Sequence, residues 1–336
     1  MSRRRSRGAL RALISAALLL PLAACGTGGG DGGDAKAPGG ATAKAAGFPY
    51  TVDNCGVRTT FKAPPERVVT MNQHTTEIML ALGLKDRLAG TAYLDDKVLP
   101  QYEKDYKSVK VLAKEYPSYE TLLGANPDFV YGGYASAFDK GEGRERAALE
   151  KSGIKTRLSI EYCAGGRTGV QQLAQEIREV GATFGVRDRA EALVKKAEAT
   201  IDATKDKLRG TAPASVFVYD SGDSSVHTAG GKGIGNEIVS LAGGRNVFAD
   251  TAKTFTDVSW EQIVERKPEA IVIYDYGGTP VEAKKKRLLE DPALQDVPAV
   301  RNKRFAVLPL SSAVLGVRVP DAVRSLAGQL HPDAFK

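Results

Sequence analysis

The chain is expected to be an α/β protein of two Rossmann-like lobes, each a largely parallel sheet covered by helices, joined by a single long α-helix. Three observations lead there. Apolar β-type runs alternate with helix-patterned stretches in two blocks, 48–168 and 211–336, and such alternation favours a parallel sheet covered on both faces. Between the blocks, 169–210 is helix-patterned throughout and gives no strand signal. One phrase occurs once per block: "SYETLLGANPDFV" at 118–130 and "SWEQIVERKPEAIV" at 259–272 place Ser, an aromatic, Glu, an apolar pair, then Pro and an acidic residue at the same spacing.

The first 24 residues read as a secretory leader. Arg3, Arg4, Arg5, Arg7 and Arg11 precede a short apolar run, and small residues follow it. The stretch 25–47 is rich in Gly and Ala, has almost nothing to bury, and is expected to be a flexible tether.

In the first lobe, "RVVTM", "RLAGTAY", "DFVYGG" and "KTRLSI" are strand candidates. "TTEIMLALG" is helical, with Gly83 as its stop signal, and "RERAALEKSG" follows as a second helix. The stretch 186–209 is one long Ala-, Lys- and Glu-rich helical pattern that Asp188 can cap; roughly 20 residues at 1.5 Å each make a rod of about 30 Å, able to cross between lobes. In the second lobe, "SVFVYD", "NVF", "AIVIYD" and "FAVLPL" are strands; "EAKKKRLLED" and a last stretch from Pro320 are helices. "GGKGIGNE" lacks the spacing of a phosphate loop and reads as a Gly-rich helix entry, with Asn236 in the first turn and Gly243-Gly244 as the stop.

Charge excludes one class of partner. The 47 basic and 40 acidic residues give +7, but five arginines belong to the leader, so the rest carries 42 basic residues against 40 acidic. Nucleic acid is therefore not an expected partner. Hydrolase elbows, zinc-protease helices, C-x-x-C pairs and P-loops are all missing from the sequence. His74, His227 and His331 are scattered, too few for a His-rich metal site, and are expected in loops or at the surface. Apart from Cys25, the first residue after the leader, Cys55 and Cys163 remain; in an exported chain they most simply pair, and a shared metal site would lack nearby His partners.

Aromatic residues gather where ligands bind in α/β sheets, outside the carboxyl ends of strands: Tyr93, Tyr131, Tyr134, Phe138, Tyr219, Tyr274 and Tyr276. Tyrosines there offer flat apolar area plus a hydroxyl, suited to a bulky, partly polar organic ligand. Arg318, beyond the last strand, can meet an anionic group through two parallel hydrogen bonds. Core packing or surface placement is the plain alternative for each one alone.

Leu22-Ala23-Ala24-Cys25 resembles a bacterial lipobox, which implies lipid modification of Cys25 and a body held at the outer face of the cytoplasmic membrane. With it, "ERVVTMNQHTTEIMLALGLKDRLAGTAY", "PSYETLLGANPDFVYG", "GGKGIGNEIVSLAGGRNVFAD" and "VSWEQIVERKPEAIVI" resemble the substrate-binding lipoproteins of ABC importers. More narrowly, the chain is similar to the ferric-siderophore and vitamin B12 binders, whose lobes are joined by one helix (class III periplasmic binding proteins). The resemblance implies no catalysis, no resident cofactor or directly bound metal, a monomer, and an ABC permease dimer with its ATPase as partner. It implies that Glu120 and Glu261, one per lobe, dock on the permease. Ser118 and Ser259 can N-cap their helices, which sets each Glu in a first turn, where the helix dipole favours its charge.

The resemblance also implies an interlobe cleft lined by Tyr93, Tyr131, Tyr134 and Phe255; Tyr219, Tyr276 and Arg318 join the set by their position at strand ends. The implied ligand is an Fe(III)-siderophore chelate. Arg318 is a single cationic candidate, so a more neutral chelate is expected than a trianionic catecholate. Corrinoid and haem ligands make the same demand for aromatic walls.

Overall fold

The computed structural model describes residues 47–336 apart from Ala164. The leader, Cys25 and all but the last residue of the expected tether lie outside the described residues. A hairpin comes first, β1 (Tyr50–Asn54) and β2 (Val57–Phe61), paired antiparallel. Its two-residue turn holds Cys55 and Gly56 at φ 53° and 77°, the left-handed pair that matches the twist of a tight hairpin. Cys55 is joined to Cys163, which ties the hairpin to the end of the first lobe.

That lobe alternates β3 (Val68–Met71), α1 (Gln73–Ala81), β4 (Leu88–Ala92), α2 (Glu103–Tyr106), β5 (Val111–Ala113), α3 (Tyr119–Gly124), β6 (Phe129–Gly132), α4 (Arg146–Lys151) and β7 (Lys155–Leu158). The strands form one parallel sheet in the order β5-β4-β3-β6-β7. β3 and β6 are buried at every position, as strands covered on both faces must be.

Two helices follow, α5 (Val170–Thr183) and α6 (Arg187–Lys207). α5 buries Leu173, Ala174, Ile177 and Val180, and α6 buries Ala190, Val194 and Ile201, in each case the positions of one helical face. They approach so closely that a Cβ on Gly181 would lie 2.4 Å from Ala190 Cβ, which requires glycine there. Asp188 sits in the first turn of α6 and does not cap it: the cap position is Val186, and no side chain closes that end.

The second lobe runs β8 (Ala214–Tyr219), β9 (Val226–Ala229), α7 (Ile234–Leu241), β10 (Gly244–Asn246), β11 (Phe255–Val258), α8 (Trp260–Arg266), β12 (Ala270–Asp275), α9 (Val281–Glu290), α10 (Pro298–Arg301), β13 (Phe305–Pro309) and α11 (Val319–Leu330). Its parallel sheet has the order β10-β8-β12-β13, and β9 pairs with β11 as a separate antiparallel ribbon. The Gly-rich stretch is a helix entry, with Gly233 at the cap of α7 and Asn236 in its first turn.

One apolar cluster runs through both lobes. Phe61, Phe129 and Tyr131 belong to it from the first, Leu173, Ile177 and Val194 from the linking helices, and Val218, Ile234 and Leu326 from the second. Side chains packed this way do not slide freely, so the joint between the lobes is stiff.

Candidate functional site

Strand ends and loops of both lobes deliver side chains to a common cleft. Tyr93 and Asp95 follow β4, Tyr116 precedes α3, and Tyr134 and Ser136 follow β6. From the second lobe come Asp220 after β8, His227 on β9, Phe255 at the start of β11, Tyr276 after β12, and Leu310 and Val314 after β13. Together they line a cavity of about 260 Å³. The place is the one that parallel sheets offer, since side chains leaving the carboxyl ends are no longer held in the pleat.

Asn72 organises the first wall. It follows β3 in left-handed backbone, φ 86°, and its Oδ1 accepts from the main-chain N–H groups of Gly133 (3.1 Å) and Tyr134 (3.3 Å). Its Nδ2 donates to the Tyr116 hydroxyl at 3.0 Å. Tyr116 in turn stacks on Tyr93, ring centroids 4.6 Å apart and 12° from parallel, and Tyr93 is itself left-handed at φ 55°. Two non-glycine residues in a sparsely populated region, both at one cleft wall, mark a backbone held by its surroundings for a purpose. Tyr134 packs edge-on against His74 and Tyr162, and its hydroxyl faces Asp95 at 3.4 Å.

On the second wall the His227 ring lies flat over Phe255, centroids 5.4 Å apart, with Nδ1 held 2.9 Å from Asp257. Burial, and then contact with the neighbouring Asp220 carboxylate, pushes the Tyr276 hydroxyl up to about 12. Burial likewise pushes Asp95 up to about 6 and raises Asp220. The lining thus combines five aromatic faces with two carboxylates and one imidazole, and it contains no lysine or arginine. It offers stacking surface and hydrogen-bond acceptors, with no nucleophile–base pair among the lining residues.

Three residues expected in the cleft lie elsewhere. Tyr131 is fully buried within β6, where its hydroxyl donates to Glu176 beside Arg157; alternation along the strand points it at α5. Tyr219 is 3 % exposed, bonded to the Gly222 carbonyl at 3.1 Å and packed with Phe217; the next residue, Asp220, reaches the cleft instead. Arg318 is consumed by Glu77, with Nε–Oε2 and Nη2–Oε1 both 2.7 Å. It lines a different hollow of about 560 Å³, otherwise built from residues 94–107, which lacks facing groups from the second sheet.

Tyr93, Tyr134, Phe255 and Tyr276 are brought together. Tyr116, Asp95, Ser136, Asp220, His227, Leu310 and Val314 complete the lining, and the sequence alone does not single them out as cleft residues. Of the histidines, His74 is buried on α1 and not in a loop or at the surface, and burial pushes its ring down to about 4. His227 belongs to the cleft, and His331 meets the Gly243 carbonyl at 2.8 Å.

Glu161 latches the two lobes together. At the end of the first lobe, it accepts from the main-chain N–H of Ile234 at 2.9 Å and of Leu315 at 2.8 Å, both in the second. Burial pushes this carboxyl up to about 7 against the pull of those two donors.

Glu120 and Glu261 are exposed, each in the first turn of its helix. Ser118 Oγ accepts from Thr121 N at 3.2 Å, and Ser259 Oγ accepts from Gln262 N at 3.3 Å, with Gln262 answering Ser259 N at 3.0 Å. Because α3 and α8 lead into the parallel strands β6 and β12, both helix starts lie at the carboxyl edge of their sheets, the edge that bears the cleft.

The family model described as periplasmic binding protein matches residues 68–311. The chain belongs to that family. It is 28 % identical over 334 residues to an uncharacterised ABC transporter substrate-binding lipoprotein of Bacillus subtilis, covering 97 % of this chain and 99 % of the relative. A periplasmic binding protein from Veillonella parvula superposes with a TM-score of 0.78 at 31 % identity, covering 84 % of this chain and 97 % of that one. A vitamin B12-binding protein of Vibrio campbellii is 28 % identical over 212 residues, 62 % of this chain and 70 % of its own length. The chain is accordingly a substrate-binding protein of an ABC importer and not an enzyme, works outside the cytoplasm, and has an ABC permease and ATPase as its partners.

Proposed function

We propose that this periplasmic binding protein captures a ferric-siderophore chelate in the interlobe cleft and hands it to the permease at Glu120 and Glu261. We further propose that it is held at the membrane by a lipid on Cys25. The carrying observation is the cleft lining: Tyr93, Tyr116, Tyr134, Phe255 and Tyr276 converge from both lobes on about 260 Å³. Aromatic walls suit the apolar skirt of a chelate whose iron is already wrapped by its own oxygens. Haem would bring two carboxylates to a wall that offers no lysine or arginine. A corrinoid is the second reading, favoured by the vitamin B12-binding relative, but the cavity suits a smaller ligand better.

Calorimetric titration of the purified protein against a ferric trihydroxamate, a ferric tricatecholate, cobalamin and haem separates these. Tightest binding of the trihydroxamate is expected. Preferential binding of cobalamin or haem would overturn the ligand assignment.

A further inference from the structure

We infer that the cleft selects a positively charged ligand, a chelate whose ammonium arm seats between Asp95 of the first lobe and Asp220 of the second. This rests on the cleft being the chelate site proposed above and adds the sign of charge that the site takes.

The charged residues of the lining are both acidic, and they come from opposite lobes. Asp220 is 4 % exposed, and its Oδ1 is shut off from solvent without a hydrogen-bond partner among the described residues. A buried carboxylate oxygen left unpaired is costly, so a donor supplied by a ligand gains more there than at a surface. Among the described residues the one side-chain hydrogen bond to Asp95 comes from the Tyr134 hydroxyl, at a long 3.4 Å.

Nearby cations do not fill the gap. Lys284, facing Asp220 from α9, spends its ammonium on the main-chain carbonyls of Asp220 and Tyr274, both at 2.6 Å, beneath the Tyr276 ring. Arg144, behind Tyr116, donates to the carbonyls of Ala137 and Pro117. His227 turns Nδ1 to Asp257. Neither carboxylate forms a salt bridge among the described residues; Lys284 acts on Asp220 only as a nearby charge, and burial still raises both groups. Aromatic rings in the lining, Tyr93 and Tyr134 among them, favour a cationic over an anionic arm.

The test uses the ferric complex of one linear trihydroxamate in three forms: with its terminal amine free, N-acetylated, and N-succinylated. The iron core is constant, and the arm is cationic, neutral or anionic. Calorimetry on the wild-type protein should show affinity falling about tenfold or more from amine to acetyl, equivalent to about 1.4 kcal/mol, and falling again from acetyl to succinyl. In the Asp95→Asn, Asp220→Asn double variant, with its fold checked by thermal unfolding, the three affinities should converge to within ~3-fold. Equal or tighter binding of the succinyl form, or an unchanged ranking in the double variant, overturns the inference while the cleft remains a chelate site. If none of the three forms binds, the chelate reading of the cleft fails, and this inference fails with it.

Discussion

Arg318 of the second lobe grips Glu77 of the first through two parallel hydrogen bonds of 2.7 Å, with both side chains nearly free of solvent contact. Arg318 also donates to Ser311 Oγ at 2.9 Å and to the Lys97 carbonyl at 2.6 Å, and Glu77 Oε1 accepts from Leu99 N at 2.9 Å. The pair is thus satisfied on both sides, the condition under which a buried ion pair is tolerable. Removing one partner strands a buried charge. Glu77→Met and Arg318→Met are each expected to lower unfolding free energy by about 3–5 kcal/mol, whereas the Glu77→Met, Arg318→Met double change should cost much less than the sum. Denaturant unfolding of the four proteins closes the cycle, and additive losses would show that the two residues act separately.

The same pair shows why the cleft was only partly legible in the sequence. Position after a strand marks the right edge of a sheet but not the face. Tyr274 and Tyr276 read alike, yet the first lies within β12 and is buried, while the second is past its end and faces the cleft. At β8 alternation sends Tyr219 into the core and its acidic neighbour outward. Arg318 looked available because its partner is 241 residues away, and no local pattern reports such a contact. Helix starts are different. Ser118 and Ser259 cap groups within three residues, so local chemistry sufficed to place them. The antiparallel β9–β11 ribbon, a pairing of distant short segments, carried no such signal.

Glu161 predicts a pH dependence of defined sign. Its ordinary value is 4.5 and burial raises it to about 7, so the folded state holds a proton more tightly than the unfolded chain does. Its contribution to stability is fully present below about 4.5 and is lost as pH rises through about 7. The groups set against it are Tyr134 and Tyr162 of its own lobe, Glu176 of α5 and Tyr274 of the second lobe, together with the N–H groups of Ile234 and Leu315. Relative to Glu161→Gln, wild-type stability should therefore decline between pH 5 and 7.5. Denaturant midpoints measured across that range check it; a constant difference would mean that Glu161 does not titrate there.

The Cys55–Cys163 link closes a long loop, with a sequence separation of 108 residues. In the chain-entropy account, a loop of this size restricts the unfolded chain by about 4–5 kcal/mol. Cys55→Ser with Cys163→Ser should lower the urea midpoint by a corresponding amount while leaving ligand affinity in place, because neither residue lines the cleft. Parallel unfolding and calorimetry test both halves, and an unchanged midpoint would show that the hairpin is held by packing alone.

The two glutamates make the sharpest functional prediction. Glu120 and Glu261 are exposed, so they contribute little to folding, and their capped helices hold them in fixed positions at the cleft-bearing edge of each lobe. Glu120 follows directly on the segment that carries Tyr116, and Glu261 on the ribbon that begins with Phe255, so a pull on either helix start bears on a cleft wall. If the two glutamates dock on the permease as proposed, truncating a buried charge pair of that kind costs on the order of 2–5 kcal/mol. Glu120→Arg with Glu261→Arg should therefore cut chelate uptake in cells by ~10-fold or more, with the single changes intermediate. Calorimetric affinity for the chelate and the melting temperature should stay at wild-type values, which separates docking from capture. Uptake at the wild-type rate in the double variant would remove the docking assignment, and a parallel loss of chelate affinity would relocate the two glutamates' role to the cleft.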